Sequence, residues 1–447
     1  MQSILNPKSI SDGPQSHRFA LLCIYFFSNI YAAWLFIDAR ATTHEFSGLS
    51  VAASDVLSAC VLALSSLFAF ALIVQPMLTR LVNSAKPRLT RRNSRGIGIV
   101  VLGILIAQIV FSITSGSQLA GQLNYIDNPG ALFFLIFNGD YMFLAYYCFY
   151  RESKLCPVNM VLYVISGLIR GWGGMFLIIG FLEIGRQLRL RQYWSIFFIS
   201  TALMLLAPGI DLFRNLVRAM GSDMQSAEVL SLLNPDVFHS LSDSSGSLAT
   251  VAAATAETIL LRLQHIEVDL VTNTFHEHIT LLYDKGLIRP FYAEGAIGKL
   301  LLQLLDERVG PDLHLFLPGY FHGWSTYYNV GYSVHAGFGS WLGILGMSFP
   351  LVVLYACLMV VFAALLIRWN GGTREAEDVA WLMGLLFICS GWFGPYEAFL
   401  QALILLLGIE ALLACISLGS MQARKGVVRP TSSSLAYPGG RIVSPIG

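Results

Sequence analysis

Ten near-continuous apolar runs dominate this chain, and they restrict it to one kind of fold. They fall at about 20–37, 56–78, 97–115, 131–150, 157–169, 175–185, 193–210, 337–367, 379–393 and 398–417. Most reach the roughly 20 residues that an α-helix needs to cross about 30 Å of hydrocarbon. Hydrophobic residues fill 55% of 447 positions, charged residues only 12%, and mean hydropathy is +0.64. No soluble core hides that much apolar surface. The expected fold is an all-α polytopic membrane protein with about ten transmembrane helices.

The basic residues orient the bundle. Arg80, Lys86, Arg88, Arg91, Arg92 and Arg95 form the densest cluster, followed by Arg151 with Lys154, and Arg186 with Arg189 and Arg191. Arg368 with Arg374, and Arg424 with Lys425 and Arg429, complete the set. Ten crossings from a cytoplasmic N-terminus put all of them on the cytoplasmic side, as the positive-inside rule asks. The first run lacks a small-residue cleavage site and is expected to stay as a helix. The fifth and sixth runs are short. Reading 157–185 as one helix would bury Arg170 mid-membrane and put one basic cluster outside. A hairpin is expected instead, with Gly171, Trp172, Gly173 and Gly174 supplying its turn.

This divides the chain into an N-terminal bundle of about seven spans (1–210), a large outward loop (211–336), about three C-terminal spans (337–421) and a disordered cytoplasmic tail (422–447). The seven cysteines lie in or beside apolar runs, with no disulfide framework and no CxxC metal site. A net charge of +1 gives no footprint for nucleic acid. No internal repeat is visible, which argues against an inverted-repeat transporter.

The loop holds most of the chain's histidines and several arginines. Three of its segments read as helical. Asp211, Arg214 and Arg218 share a face that continues the seventh span. Over about 251–270, Ile259, Leu263, Ile266 and Leu270 recur at helical spacing beside a polar stripe of Thr258, Arg262, His265 and Asp269. Over about 293–307, Ile297, Leu300, Leu301, Leu304 and Leu305 form an apolar face suited to lying on the bilayer or capping the bundle. Ser240 to Ser247 reads as a linker, and Pro311 to Asn329 as irregular chain with Trp324, Tyr327 and Tyr328 as stacking surfaces.

The candidate chemistry is anionic. Arg170 faces outward, against the orientation bias, and a guanidinium there can fork onto a phosphate rather than snorkel to headgroups. Arg214 and Arg218 can clamp a diphosphate or pair with Asp211 and Glu228. Arg262 has a solvated helix face as its plain alternative. His335, directly before the eighth span, can act as a base or bind phosphate. Asp140 lies inside the fourth run, either as a partner for Arg170 or as a site residue. His276-Glu277-His278 lacks an HExxH frame, so no metal site is expected. No Walker motif, phosphate-binding glycine loop or GxSxG elbow stands in a usable context. No cofactor is expected, and any reaction must use a substrate already activated.

The layout from about 97 to 417 resembles the bacterial oligosaccharide repeat-unit polymerases of the Wzy type and, more distantly, the O-antigen ligases. The resemblance rests on the hairpin Leu168-Ile169-Arg170-Gly171-Trp172-Gly173-Gly174 with its basic turn Arg186 to Arg191, and on the large loop with internal Arg262. It rests also on the loop exit Gly337-Phe338-Gly339-Ser340-Trp341-Leu342-Gly343. It implies a glycosyltransferase with a GT-C-like fold in the bacterial inner membrane, acting at the periplasmic face. The implied donor is a glycan on undecaprenyl pyrophosphate, and the acceptor is a lipid-linked repeat unit. Transfer would invert the anomeric carbon without metal, the leaving diphosphate being met by Arg170, Arg262, Arg214 and Arg218. His335, Glu267 and Asp269 are the candidates for taking the acceptor's proton. A flippase and a chain-length regulator of the same pathway are implied partners. The alternatives are a ligase of the same fold and a lipid-linked oligosaccharide flippase or transporter.

Overall fold

The computed structural model describes residues 16–43, 46–83, 94–115, 129–219, 256–305, 310–323 and 337–426. Helices occupy every one of the ten apolar runs. In order they are α1 (Ser16–Ala39), α2 (Ala53–Ala69) running on into α3 (Gln75–Asn83), α4 (Ser94–Ser115), α5 (Pro129–Ile136) and α6 (Gly139–Tyr150). Then come α7 (Cys156–Ile169), α8 (Gly174–Arg189) and α9 (Tyr193–Ala219). The insertion contributes α10 (Ile266–Thr274), α11 (His276–Asp284), α12 (Ala296–Leu304) and α13 (Leu313–His322). The chain closes with α14 (Phe338–Leu345), α15 (Phe349–Trp369), α16 (Arg374–Met383) and α17 (Phe393–Gly426). Among the described residues there is no β-strand, only an isolated bridge between Ala41 and Ser50. Among the described residues, six helical stretches, 16–39, 53–82, 94–114, 130–150, 338–369 and 393–416, are long and apolar enough to cross a membrane. The protein is therefore an α-helical multipass membrane protein.

Local sequence explains the breaks. Pro76 has no amide hydrogen, and its ring crowds the carbonyl four residues back, so the chain widens into a π-turn at Phe70–Val74 between α2 and α3. Asn138 interrupts the fourth run: its side chain accepts from the Asp140 amide, and Gln108 of α4 accepts from the Gly139 amide at 2.6 Å. The short α7 and α8 form the expected hairpin. Gly171 takes φ +68° at the turn, and Met175 packs so closely on Gly167 that a Cβ there would lie 2.6 Å from its sulfur. Small residues let α1 and α2 approach, with Ala32, Ala33, Ala59 and Ala63 buried between them.

The two ends of the bundle differ. At one end Arg18, 2% exposed, donates to Glu377 at 2.8 Å and to Asp378 at 2.6 and 3.0 Å. His17 and Arg189 converge on the same Asp378, and Thr79 reaches Glu377. Nearby on this face, Arg151 forks onto Glu183 at 2.7 and 2.9 Å. The basic turns around 151 and 186–191 and the start of α16 are thus gathered together. The insertion packs at the opposite end, against Ala32, Phe36, Val56 and Ala63. Its Val268, Ile279, Phe291 and Leu317 belong to the same core as the spanning helices.

Candidate functional site

Ten consecutive residues of the insertion, 263–272, are buried. The sequence pattern suggests one amphipathic helix over 251–270, but the chain is helical over 256–262, breaks at 263–265 and restarts as α10. Side chains satisfy the amides that the break exposes. Asn29 of α1 accepts from the His265 amide at 3.0 Å, and Gln264 accepts from the Glu267 amide at 2.9 Å. The hydroxyl of Ser28 donates to the Leu260 carbonyl. Polar residues inside α1 therefore hold the insertion down, and α10 is wedged between α1, α2 and α14.

Asp269 faces the N-terminus of α14. Its Oδ1 accepts from Ser340 Oγ at 2.8 Å, while its Oδ2 has no hydrogen-bond partner. The helix start is built to let the carboxyl in. Gly337 adopts φ +46°, and a Cβ on Gly339 would lie 2.4 Å from Asp269 Oδ2. Burial pushes the Asp269 pKa up to about 7, and the hydrogen bonds from Ser340 hold it from rising further. Next to it, burial and the neighbouring His314 lower His265 to about 4, so its imidazole is neutral at pH 7. His265 meets the ring of Tyr25 edge-on at 6.1 Å, and His314 stacks on Trp392 at 5.0 Å.

Glu267, the other acidic candidate on α10, is engaged otherwise. Its Oε1 accepts from the Phe46 amide at 2.9 Å, which fastens the turn between α1 and α2 to the insertion. Arg262, half-buried at the end of the 256–262 helix, has an Nε without a hydrogen-bond partner. Arg170 ends α7 and pairs with Asp140; Ser166 Oγ donates to the same carboxylate at 3.3 Å. The hydrogen bonds of Arg170 go to Asp140 and Ser166, and none links it to Arg262 or Asp269. Arg214 and Arg218 stand one turn apart on α9. His335, Ser240 to Ser247, Trp324, Tyr327 and Tyr328 lie outside the described residues.

Residues 313–322, expected to be irregular, form α13 instead. Asp312 caps it by accepting from the Leu315 amide at 3.0 Å, and Pro318 sits within it. Helix α11 carries His276 and His278; His276 Nδ1 lies 3.3 Å from the Asn273 carbonyl, and His278 is tilted against Tyr320.

A second charged group was not anticipated. Arg289, 7% exposed, lies in the field of Asp312, Glu294 and Glu397, with its Nε unbonded. Glu294, 1% exposed, accepts from the Phe393 and Gly394 amides at 2.7 and 3.1 Å and so caps α17. The available signal was Glu397, an acid three residues after Gly394 at the head of a spanning run.

Fold and site together define a multipass helical membrane protein with a buried, titratable carboxyl at the end that carries its insertion. The chain matches no family model, no curated protein and no solved structure with which it was compared.

Proposed function

We propose that the chain is a GT-C-like glycosyltransferase of about ten spans in a bacterial inner membrane, with both termini cytoplasmic, polymerising undecaprenyl-pyrophosphate-linked repeat units at the periplasmic face. The observation that carries this reading is Asp269: a buried carboxyl with one bare oxygen and a pKa near neutrality, beside the glycine-rich exit of the insertion. A general base works best when its pKa lies near the working pH. In the proposed step, an acceptor sugar hydroxyl gives its proton to Asp269 Oδ2 as its oxygen attacks the donor's anomeric carbon. The bond from that carbon to the diphosphate breaks, and its electron pair leaves on the diphosphate. Arg262, with its bare Nε, together with Arg214, Arg218 and Arg170, supplies the positive charge that meets it. The engagement of Glu267 with Phe46 favours Asp269 over Glu267 as base; His335 is the other candidate.

The test is extension of a purified lipid-linked repeat unit by the protein reconstituted in liposomes. Wild type is expected to yield a ladder of chain lengths without ATP, and Asp269→Asn only single units. Failure of the folded wild type to extend the unit removes the polymerase reading. A ladder of normal length from Asp269→Asn, with single units from His335→Ala, moves the base to His335.

A further inference from the structure

Residues 297–305 present an apolar face outward, unlike a helix bathed in water. On α12 and the residue after it, Ile297, Leu301, Leu304 and Leu305 share one outward face and are 61, 54, 81 and 69% exposed. The opposite side carries Lys299 beside buried Ala296 and is tightly seated. Half-buried Lys299 lies in the field of Glu294, Asp312 and Glu397, and a Cβ on Gly298 would sit 2.4 Å from the Ala293 Cα. A helix on a water-facing surface does the reverse, turning leucine inward and lysine outward. Exposure of this apolar face to water is unfavourable, so something apolar lies outside it.

The depth of this segment agrees. Glu294 binds the first amides of α17, and Gly295 is so close to Glu397, one turn further along, that a Cβ would overlap its carboxylate. Glu397 in turn accepts from the hydroxyl of Tyr355, inside α15, at 2.5 Å. Both α15 and α17 belong to stretches long and apolar enough to cross the membrane. Helix α12 is therefore level with the first turns of α17. Tyr292, 57% exposed at the start of the segment, is of the type that anchors at a headgroup boundary.

We propose that α12 is immersed in the bilayer leaflet on the insertion side, its Ile297–Leu301–Leu304–Leu305 face against lipid acyl chains. The insertion is then part of the lipid-facing wall of the bundle, with Lys299 on the inner side of α12 in the field of Arg289 and Glu294. This inference stands on packing and does not depend on the reaction.

Spin labelling tests it. Nitroxides are attached at Leu301→Cys, Leu304→Cys and, in the exposed turn after α11, Lys285→Cys. The background is the full chain with its seven native cysteines replaced, reconstituted in phosphatidylcholine–phosphatidylglycerol vesicles. Labels at 301 and 304 are expected to collide at least tenfold more with oxygen than with a water-soluble nickel chelate, and the label at 285 to show the opposite preference. Ready collision with the nickel chelate at 304 overturns immersion, and so does protection from both reagents, which would mean that protein covers the stripe. Leu304→Trp with native cysteines gives an independent reading. Brominated phosphatidylcholine should add quenching beyond that of the native tryptophans, and no added quenching overturns the proposal.

Discussion

Asp269 retains a proton at a pH where an ordinary aspartate has lost it, because burial disfavours its charged form more than Ser340 favours it. The raised value has a definite consequence for stability. Between about pH 4 and pH 7 the unfolded carboxyl ionises while the folded one stays protonated, so the folded state binds more protons and stability falls as pH rises. The difference between 3.8 and about 7 corresponds to about 4 kcal/mol in order of magnitude. Thermal unfolding in detergent from pH 4 to pH 8 should therefore show a decline that Asp269→Asn flattens. On the proposed reaction, chain growth rises through about pH 7 as the base loses its proton. Ser340→Ala removes a hydrogen bond that favours the carboxylate and should move that rise to higher pH. An unmoved profile in Ser340→Ala would assign the titration to another group.

Single interactions at the ends of helices decide how the elements lock together. The α7–α8 hairpin is tied to α6 by Arg170 and Asp140, whose side chains are 12% and 6% exposed. Removing one partner of such a pair leaves a buried charge without its counterpart, at a cost of about 3–5 kcal/mol, whereas removing both is often nearly neutral. Arg170→Met is thus expected to lower the melting temperature markedly, and adding Asp140→Asn should recover most of the loss. The double variant also separates two roles for Arg170. If pairing with Asp140 is its whole role, recovered folding brings recovered chain growth. If the guanidinium also meets the diphosphate, the refolded double variant stays inactive.

At the scale of the molecule, the two ends of the bundle are held by different means. One end is an ionic knot in which Asp378 meets His17, Arg18 and Arg189, joining α1, α8 and α16. Burial alone would raise the Asp378 pKa, but its hydrogen bond with His17 and the guanidinium groups of Arg18 and Arg189 hold it well below the usual carboxylate range. Its stabilisation is present above the ordinary aspartate pKa and is lost as pH falls into the acid range. Asp378→Ala leaves Arg18 with Glu377 and Arg189 with Glu375 but removes the carboxylate they share, and should cost up to about 3 kcal/mol, measured as a fall in melting temperature near neutral pH. The other end is held by packing and helix capping: α10 between α1 and α2, and Glu294 on the first amides of α17. The candidate chemistry sits at the capped end, away from the knot. Asp378→Ala protein that remains folded should therefore still extend chains.

The sequence alone carried the class of fold and the positions of the apolar helices, but not those of the insertion. Each apolar run is helical, the short 157–185 region turns at Gly171, and the basic turns around 151, 186–191 and 374 gather at one end. Hydrophobicity repeated over twenty residues has few structural solutions, and charge at a membrane face is costly to misplace. The site was legible only in part. Asp269 and Arg262 stand out by residue type, yet spacing places His265 and Asp269 only on a polar stripe that a solvated helix face explains equally well. Tertiary structure put them inside, because Ser28 and Asn29 of α1 bind the chain at 260 and 265 and α10 fills the space between α1, α2 and α14. Helical spacing identifies which residues share a face, but not whether that face meets water, lipid or protein. Where the surroundings include hydrocarbon, as argued for α12, only the packing of distant segments distinguishes them.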